Sequence, residues 1–320
     1  MTRVLGFHTG YRCHDSGDCC SAGWPIPVEP DRAEALRTLA GVNAAPGGFL
    51  LPVVNGRCVL HDASRARCRA HEALGHAALP LACRQFPRVS VIDPRGVSVT
   101  LSHFCPTARA LLESAGPCAI VTDAPAFPPG GEYEGLDVRA ALPPLLRPDM
   151  LMDWESWWQW EAASVTLIAA RLEAPASALT ALAVAVDHVR GWRPGDGALD
   201  VAVRAAFARA RESNTSAWSI DDATQRAWRQ AVIAAIPPPH RPPALDVLAS
   251  SPPAPVLGRF LAAHAFANWA AHQGDGLHAW LRSLELAYML AAQHGVRAAD
   301  LLLRHLADPA ALAAKYGRLR

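Results

Sequence analysis

Seven of the chain's eight cysteines fall between Cys13 and Cys105, the densest run being Cys13-His-Asp-Ser-Gly-Asp-Cys19-Cys20. Single thiols follow at Cys58, Cys68, Cys83 and Cys105, Cys118 trails behind them, and nothing after about residue 150 is cysteine. A thiolate is a soft donor suited to zinc or to iron–sulfur clusters. Four of them saturate a tetrahedral zinc or hold a cubane cluster. One zinc would leave three of the seven over, so two zincs, or one cluster with auxiliary cysteines, suits the count better. The spacing is neither that of a zinc ribbon, which needs paired Cys-x-x-Cys knuckles, nor that of a bacterial ferredoxin. Neighbouring Cys19 and Cys20 point their side chains apart, so one ligates while the other is structural, in either order. The candidate metal ligands are therefore Cys13, Cys19, Cys20, Cys58, Cys68, Cys83 and Cys105, and the metal is zinc or iron–sulfur.

Other reactive side chains lie among them. His61, His71, His76 and His103 fall between the cysteines and read first as surface or hydrogen-bonded histidines, with ligation the sharper alternative. Asp62 reads as the cap of a helix from Ser64 rather than as a base. Arg84 and Arg88 follow Cys83 and are the candidate cofactor-binding residues. They suit either the charge of a thiolate cluster or a cofactor carboxylate, and equally an ordinary ion pair. Trp154, Trp157 and Trp158 share one helical face, where core packing is a simpler reading than an aromatic cage for a methylammonium.

Composition sets bounds. The net charge is +1 and Lys315 is the only lysine, so no broad attraction to nucleic acid is expected. No run of about 18 apolar residues predicts a membrane span. Met1 to Tyr11 lacks the apolar centre of a secretory leader, which predicts a cytoplasmic chain with reduced thiols. There a cysteine set is more often metal-binding than a disulfide framework.

The elements that must position these residues follow from local patterns. Asp31 to Ala40 has an acidic start and helical spacing behind Pro30. Phe49 to Val54 reads as a strand turned at Asn55-Gly56 onto Cys58-Val-Leu60. Ser64 to Ala78 reads as helix. Arg88 to Asp93 and Val97 to Leu101 alternate with period two across a turn and predict a hairpin. Pro106 opens a helix to about Ala115. Residues 119–148 form a Pro- and Gly-rich connector, of which Phe127 to Gly135 reads as loop. Beyond it Leu151–Leu172, Pro175–Trp192, 197–212, 221–235, Leu257–Ala271, Asp275–His294, Ala298–Leu306 and Pro309–Tyr316 read as helices, broken at Pro237–Pro243. The expected fold is mainly α. A cysteine-rich metal-binding region with a small β-hairpin (1–118) precedes the connector (119–148) and a helical domain (149–320).

The motifs resemble, in order, those of the cysteine-cluster family known for its CxxCxxCC-type element, and within it the flagellin lysine-N-methylases. Cys13 to Cys20 resembles the opening motif and Gly23-Trp24-Pro-Ile26 the element after the double cysteine. Gly56-Arg-Cys58 resembles the family's Gly-x-Cys. Cys68, Leu74-Gly75 and Cys83-Arg84-Gln-Phe86-Pro87-Arg88 resemble its central segment, and Leu101-Ser102-His-Phe-Cys105-Pro106-Thr-Ala108 its last. Ser16 stands where the common motif has a further cysteine, and a hydroxyl is a far poorer ligand for a soft metal. The resemblance covers about the first 115 residues.

It implies a 4Fe–4S cluster, S-adenosylmethionine as methyl donor and a lysine-bearing protein as substrate. Such an enzyme must deprotonate an amine of pKa near roughly 10.4, or select its neutral form. No strand followed by a Gly-rich loop and helix predicts the usual donor-binding fold. The alternatives are a non-catalytic, metal-stapled interaction protein and a redox or metal-handling protein.

Overall fold

The computed structural model describes residues 1–24, 26–42, 48–114, 116–213, 218–219, 221–235 and 251–305. The expected helix Pro309–Tyr316, the proline break Pro237–Pro243 and Pro25 of the Gly-Trp element lie outside the described residues.

The front of the chain is made of short pieces. β1 (Thr2–Leu5) is followed by the 3-10 turn Asp18–Ser21, β2 (Ile26–Val28), α1 (Ala33–Ala40), β3 (Phe49–Leu51), β4 (Val53–Val54) and β5 (Arg57–Cys58). Then come β6 (His61–Asp62), β7 (Arg67–Cys68), α2 (Arg69–Leu74), α3 (Leu81–Gln85), β8 (Arg88–Asp93), β9 (Gly96–Leu101) and α4 (Pro106–Ala110). β10 (Ile120–Thr122), β11 (Gly135–Asp137), β12 (Leu145–Arg147) and β13 (Met150–Leu151) lead into the helices. These are α5 (Trp154–Ala169), α6 (Pro175–Arg190), α7 (Leu199–Glu212), α8 (Asp222–Ala235), α9 (Ala254–Ala265) and α10 (Leu277–His305).

The mainly α expectation gives way to a mixed α/β fold. The expected hairpin exists, pairing Arg88 with Leu101 and Asp93 with Gly96. It is, however, the middle of a five-stranded sheet ordered β10-β1-β9-β8-β11. β1 lies parallel to β9, with Val4 opposite Val99, and antiparallel to β10. β11 closes the other edge parallel to β8. The two outer strands are triplets drawn from the 119–148 connector, too short to carry a period of their own. Four further two-stranded ribbons complete the β structure among the described residues.

The Ser64–Ala78 helix is also corrected. Residues 61–68 are a tight β6–β7 hairpin, and helix begins only at Arg69. Asp62 caps its turn, accepting from the backbone N–H groups of Ser64 (3.0 Å) and Arg65 (3.3 Å), the local competition with helix that aspartate offers. The Asn55-Gly56 turn is present with both residues at positive φ, the conformation that a two-residue hairpin needs.

The helical half follows its sequence pattern closely. Asp153 caps α5 by accepting from the Ser156 N–H at 2.8 Å, and Pro175 opens α6. α10 is broken at Gly295, where φ is 79°, which separates the two helices expected on either side. Trp157, Trp160, Phe207, Leu261 and Trp280 fill one core between α5, α6, α7, α9 and α10. A second core joins the sheet to the helices: Leu5, Phe7 and Val91 pack with Phe260, Phe266 and Leu290. Buried charges tie the same joint. Arg3 reaches Asp93 (3.1 Å) and Glu161 (2.9 Å), Arg95 reaches both carboxylates (2.6 and 3.0 Å), and Glu161 also accepts the Ala267 N–H. Among the described residues no helix is long and apolar enough to cross a membrane.

Candidate metal centre and the adjoining pocket

The short elements at the front converge on the thiols. β5 ends in Cys58, β7 ends in Cys68 and the turn Asp18–Ser21 carries Cys19 and Cys20. Gly17 makes that meeting possible. Its φ is +68°, and a Cβ there would come within 2.2 Å of the Ala66 carbonyl, so only glycine lets the Cys19-Cys20 turn lie on the β6–β7 hairpin. α3 supplies Cys83, and Cys105 precedes Pro106 at the start of α4.

A pocket of about 490 Å³ results, lined by Cys13, Cys19, Cys20, Cys68, Cys83 and Cys105 together with His71, His76, Arg84 and Arg88. Cys58 sits against Cys20 beside it. The seven cysteines singled out by spacing thus gather in one place, spread over 93 residues of sequence. Cys118 does not join them; it packs against the helical cores. All eight thiols are free.

Their proton affinities are unequal. Cys20 lies against Cys19, Cys58 and Cys68, so the neighbouring side chains of Cys19 and Cys20 meet instead of pointing apart as expected, and hydrogen bonding to those three sulfurs raises the Cys20 pKa above the ordinary thiol value. The same contact with Cys20 lowers Cys19 and Cys58, and lowers Cys68 to about 6. Burial opposes the change in all three. Backbone N–H groups assist it: His71 and Ala70 donate to Cys68, and Leu60 donates to Cys58. Cys83 is pushed up by burial and then by the neighbouring Cys19, Cys58 and Cys68. Cys13 and Cys105 are raised by burial, although Ala108 and Thr107 N–H groups donate to Cys105. Thiols that hold their protons less tightly exchange them more readily for a soft cation. Among the described residues, no three His, Cys, Asp or Glu side chains are already posed as a finished ion site. The thiols are neighbours, not yet a coordination sphere.

The other candidate residues separate. His71 pairs with Asp15 at 3.3 Å on the pocket wall, and His76 lies beside it. His61 sits 3.4 Å from Arg57 on an exposed ribbon. His103 is fully buried against His8, with their Nε2 atoms 3.1 Å apart, and is not among the residues that line the thiol pocket. Arg84 makes a two-pronged pair with Glu132 (2.6 and 3.2 Å), and Arg88 lies over the Phe127 ring while donating to the Arg84 carbonyl. Trp157 is in the core, and Trp154 stacks on Trp158, whose ring carries Arg95 at 4.8 Å. The three tryptophans therefore have packing partners of their own, and Trp158 a cation–π partner as well.

Sequence reasoning missed a second pocket, of about 480 Å³, that shares Phe86 and Arg88 with the first. Trp24, Leu101 and Trp269 are among its apolar walls, and Gln85, Ser102, Glu134, His264 and Arg304 are among its polar ones. His264 and Arg304 come from α9 and α10, so only the packing of the helical half against the sheet brings them here. The nearest available signal was the placement of Gln85, Phe86 and Arg88 directly after Cys83.

No family model, curated protein or solved structure matches the chain.

Proposed function

We propose that the chain is a thiolate metal protein in which Cys19, Cys20, Cys58 and Cys68 form the heart of the ligand set. Cys13, Cys83 and Cys105, which line the same pocket, complete it. The observation that carries this reading is the gathering of seven thiols, six lining one pocket and Cys58 against Cys20 beside it, three of the seven having lowered proton affinity. The donor set suits zinc or iron–sulfur and suits hard cations poorly. Arg84 and Arg88 in the same lining would offset the negative charge of such a centre.

On the resemblance of its motifs, we further propose that the protein is a protein lysine N-methyltransferase drawing on S-adenosylmethionine and acting on a lysine-bearing protein. In that reaction the amine lone pair forms the new N–C bond while the sulfonium sulfur recovers the bonding pair of the methyl it loses. The chain's part is to align the two reactants and to take up or exclude the amine's proton. A pocket that shares a wall with the thiol centre supports this assignment, since it offers room for a reactant beside it.

A second reading has an observation in its favour. Tetrahedral Zn–S bonds of about 2.3 Å put sulfurs about 3.8 Å apart, and Cys20 within hydrogen-bonding reach of three sulfurs suits that compact spacing. In this case the metal staples a non-catalytic interaction protein.

Purification without oxygen, followed by iron, sulfide and zinc analysis, decides between them. A brown protein with iron and sulfide is expected for the enzyme, and colourless protein with stoichiometric zinc for the staple. Protein that takes up neither would sink the metal reading. Calorimetry of the metal-loaded protein with S-adenosylmethionine then tests the methylase, and absence of binding would overturn that part alone.

A further inference from the structure

The second pocket has an unusual set of unsatisfied groups. Most of its polar side chains are already engaged. Ser102 donates to the fully buried Asp300, Thr100 donates to the Ala263 carbonyl (3.1 Å), and Asn268 is held by the His264 carbonyl, Ser283 and the Ala270 N–H. Arg304 gives its Nε to Asp300 at 3.0 Å. Besides the carboxylate of the exposed Glu134, two side chains keep an acceptor that no donor meets. Gln85 is 6% exposed, and its Nε2 donates to the Glu132 carbonyl at 2.7 Å. A carbonyl can only accept, so this bond fixes the amide and leaves Oε1 facing no donor. His264 packs its ring on Phe260 and lies 4.0 Å from Asp300, beyond hydrogen-bond range.

We propose that this pocket seats an uncharged primary amine, with Gln85 Oε1 and the His264 ring accepting its two hydrogens and its lone pair left free. The inference deepens the methylase reading and rests on it for the amine's being a lysine side chain. Two cationic side chains in the lining act in the same direction. Arg88 from β8 and Arg304 from α10 both line it, and Asp300 is engaged with Arg304 behind the wall. Glu134, which is exposed, is the one carboxylate among the lining residues. His103 lies behind Phe260, where burial keeps it neutral down to about pH 3. An ammonium entering past the exposed Glu134 would meet the Arg88 guanidinium, the Arg304 guanidinium paired with Asp300, and walls of Trp24, Phe86, Leu101 and Trp269. Desolvation and like charge both lower an amine's pKa. His264 is held neutral down to about pH 4, chiefly by burial and also by Arg304, against the pull of Asp300. It therefore offers a lone pair throughout the working range. A neutral primary amine has two N–H donors and one lone pair, which matches two unfilled acceptors and a nucleophile that must stay free.

The probe is N-acetyl-lysine methylamide, titrated onto the metal-loaded full chain between pH 7 and pH 9 and followed by calorimetry. The neutral fraction of such an amine rises about tenfold per pH unit in that range, and the apparent affinity is expected to rise with it. The trimethyl-lysine analogue, which has no N–H, should fail to bind. Gln85→Leu and His264→Phe should each weaken binding by about tenfold, with metal content and circular dichroism unchanged. An affinity that is flat or falls with pH, or equal binding of the trimethyl analogue, would overturn the proposal, and neither measurement depends on a variant that folds. The methylase reading fails separately: pH-linked amine binding without methyl transfer would leave the seat standing, and transfer without pH-linked binding would do the reverse.

Discussion

The thiol region and the helical half are built on opposite principles. Around the thiols the strands run two or three residues, α2 has six residues and α3 five, and the longest regular piece is the eight-residue α1. Their core is a small set around Leu36, Leu51 and Leu60 that counts Cys20 and Cys58 among its own members. The helical half uses α5 and α6 of 16 residues each and a broad core of alanine, leucine and tryptophan. A region with so little apolar surface to bury is poorly stabilised alone. On the metal reading proposed above, a bound metal would supply what the region lacks in core, together with docking on the sheet. The helical half needs neither, because an amphipathic helix packed on others is stabilised by burial.

The largest effect should therefore come from the metal. Stripping it with a chelator, or replacing Cys68 with serine, should unfold the front region while the helices persist, since ligand binding contributes directly to folding in such sites. Hydrogen exchange would show amides of residues 13–85 losing protection while α5–α7 keep theirs. Uniform loss over the whole chain would mean that the two regions are not energetically distinct. Next comes the joint. Glu161→Ala removes a carboxylate that holds Arg3, Arg95 and the Ala267 N–H. Leaving buried guanidinium charge short of a partner should cost about 3–5 kcal/mol in urea denaturation, affecting both regions together.

Acid should loosen the same joint. Burial, helped by the neighbouring His103, holds His8 well below the ordinary histidine value, and burial holds His264 at about 4. Between about pH 6.5 and those folded values the unfolded chain takes up protons that the native chain refuses. Stability is complete above that range and falls as pH is lowered through it, by on the order of 1 kcal/mol per pH unit for each residue. Melting curves at stepped pH would show it. A flat profile from pH 7 to 5 would mean that these histidines are hydrated in solution.

How much of this was legible follows the same division. The helices from Trp154 onward announce themselves through three- and four-residue spacing, Asp153 and Pro175. The hairpin at Arg88–Leu101 does so through alternation. β1, β10 and β11 did not, because three or four residues inside a sheet carry no resolvable period, and pairing with distant strands decides them. Ser64–Ala78 misled because alanine and arginine favour helix locally, while the bonds of Asp62 to the turn and the docking of Gly17 on Ala66 fix a hairpin instead. The thiols were readable as a set since type and count suffice. Their unequal proton affinities were not, because these depend on which sulfurs Cys20 touches. The second pocket was hidden altogether: Gln85 and His264 are 179 positions apart and meet only through the packing of α9 on the sheet.

Cys118 gives the smallest effect and the sharpest control. It is half-buried against both helical cores, and burial raises its pKa to about 11, so it stays a protonated, unreactive thiol at neutral pH. Serine in its place puts a hydroxyl where the thiol met apolar neighbours, at a cost of about 1 kcal/mol. That loss should be felt in the helical half's transition. Metal content and the front region's hydrogen exchange should remain as in the parent protein. If Cys118→Ser alone lowers metal content, the thiol set reaches beyond Cys105 and the division between the two regions is drawn in the wrong place.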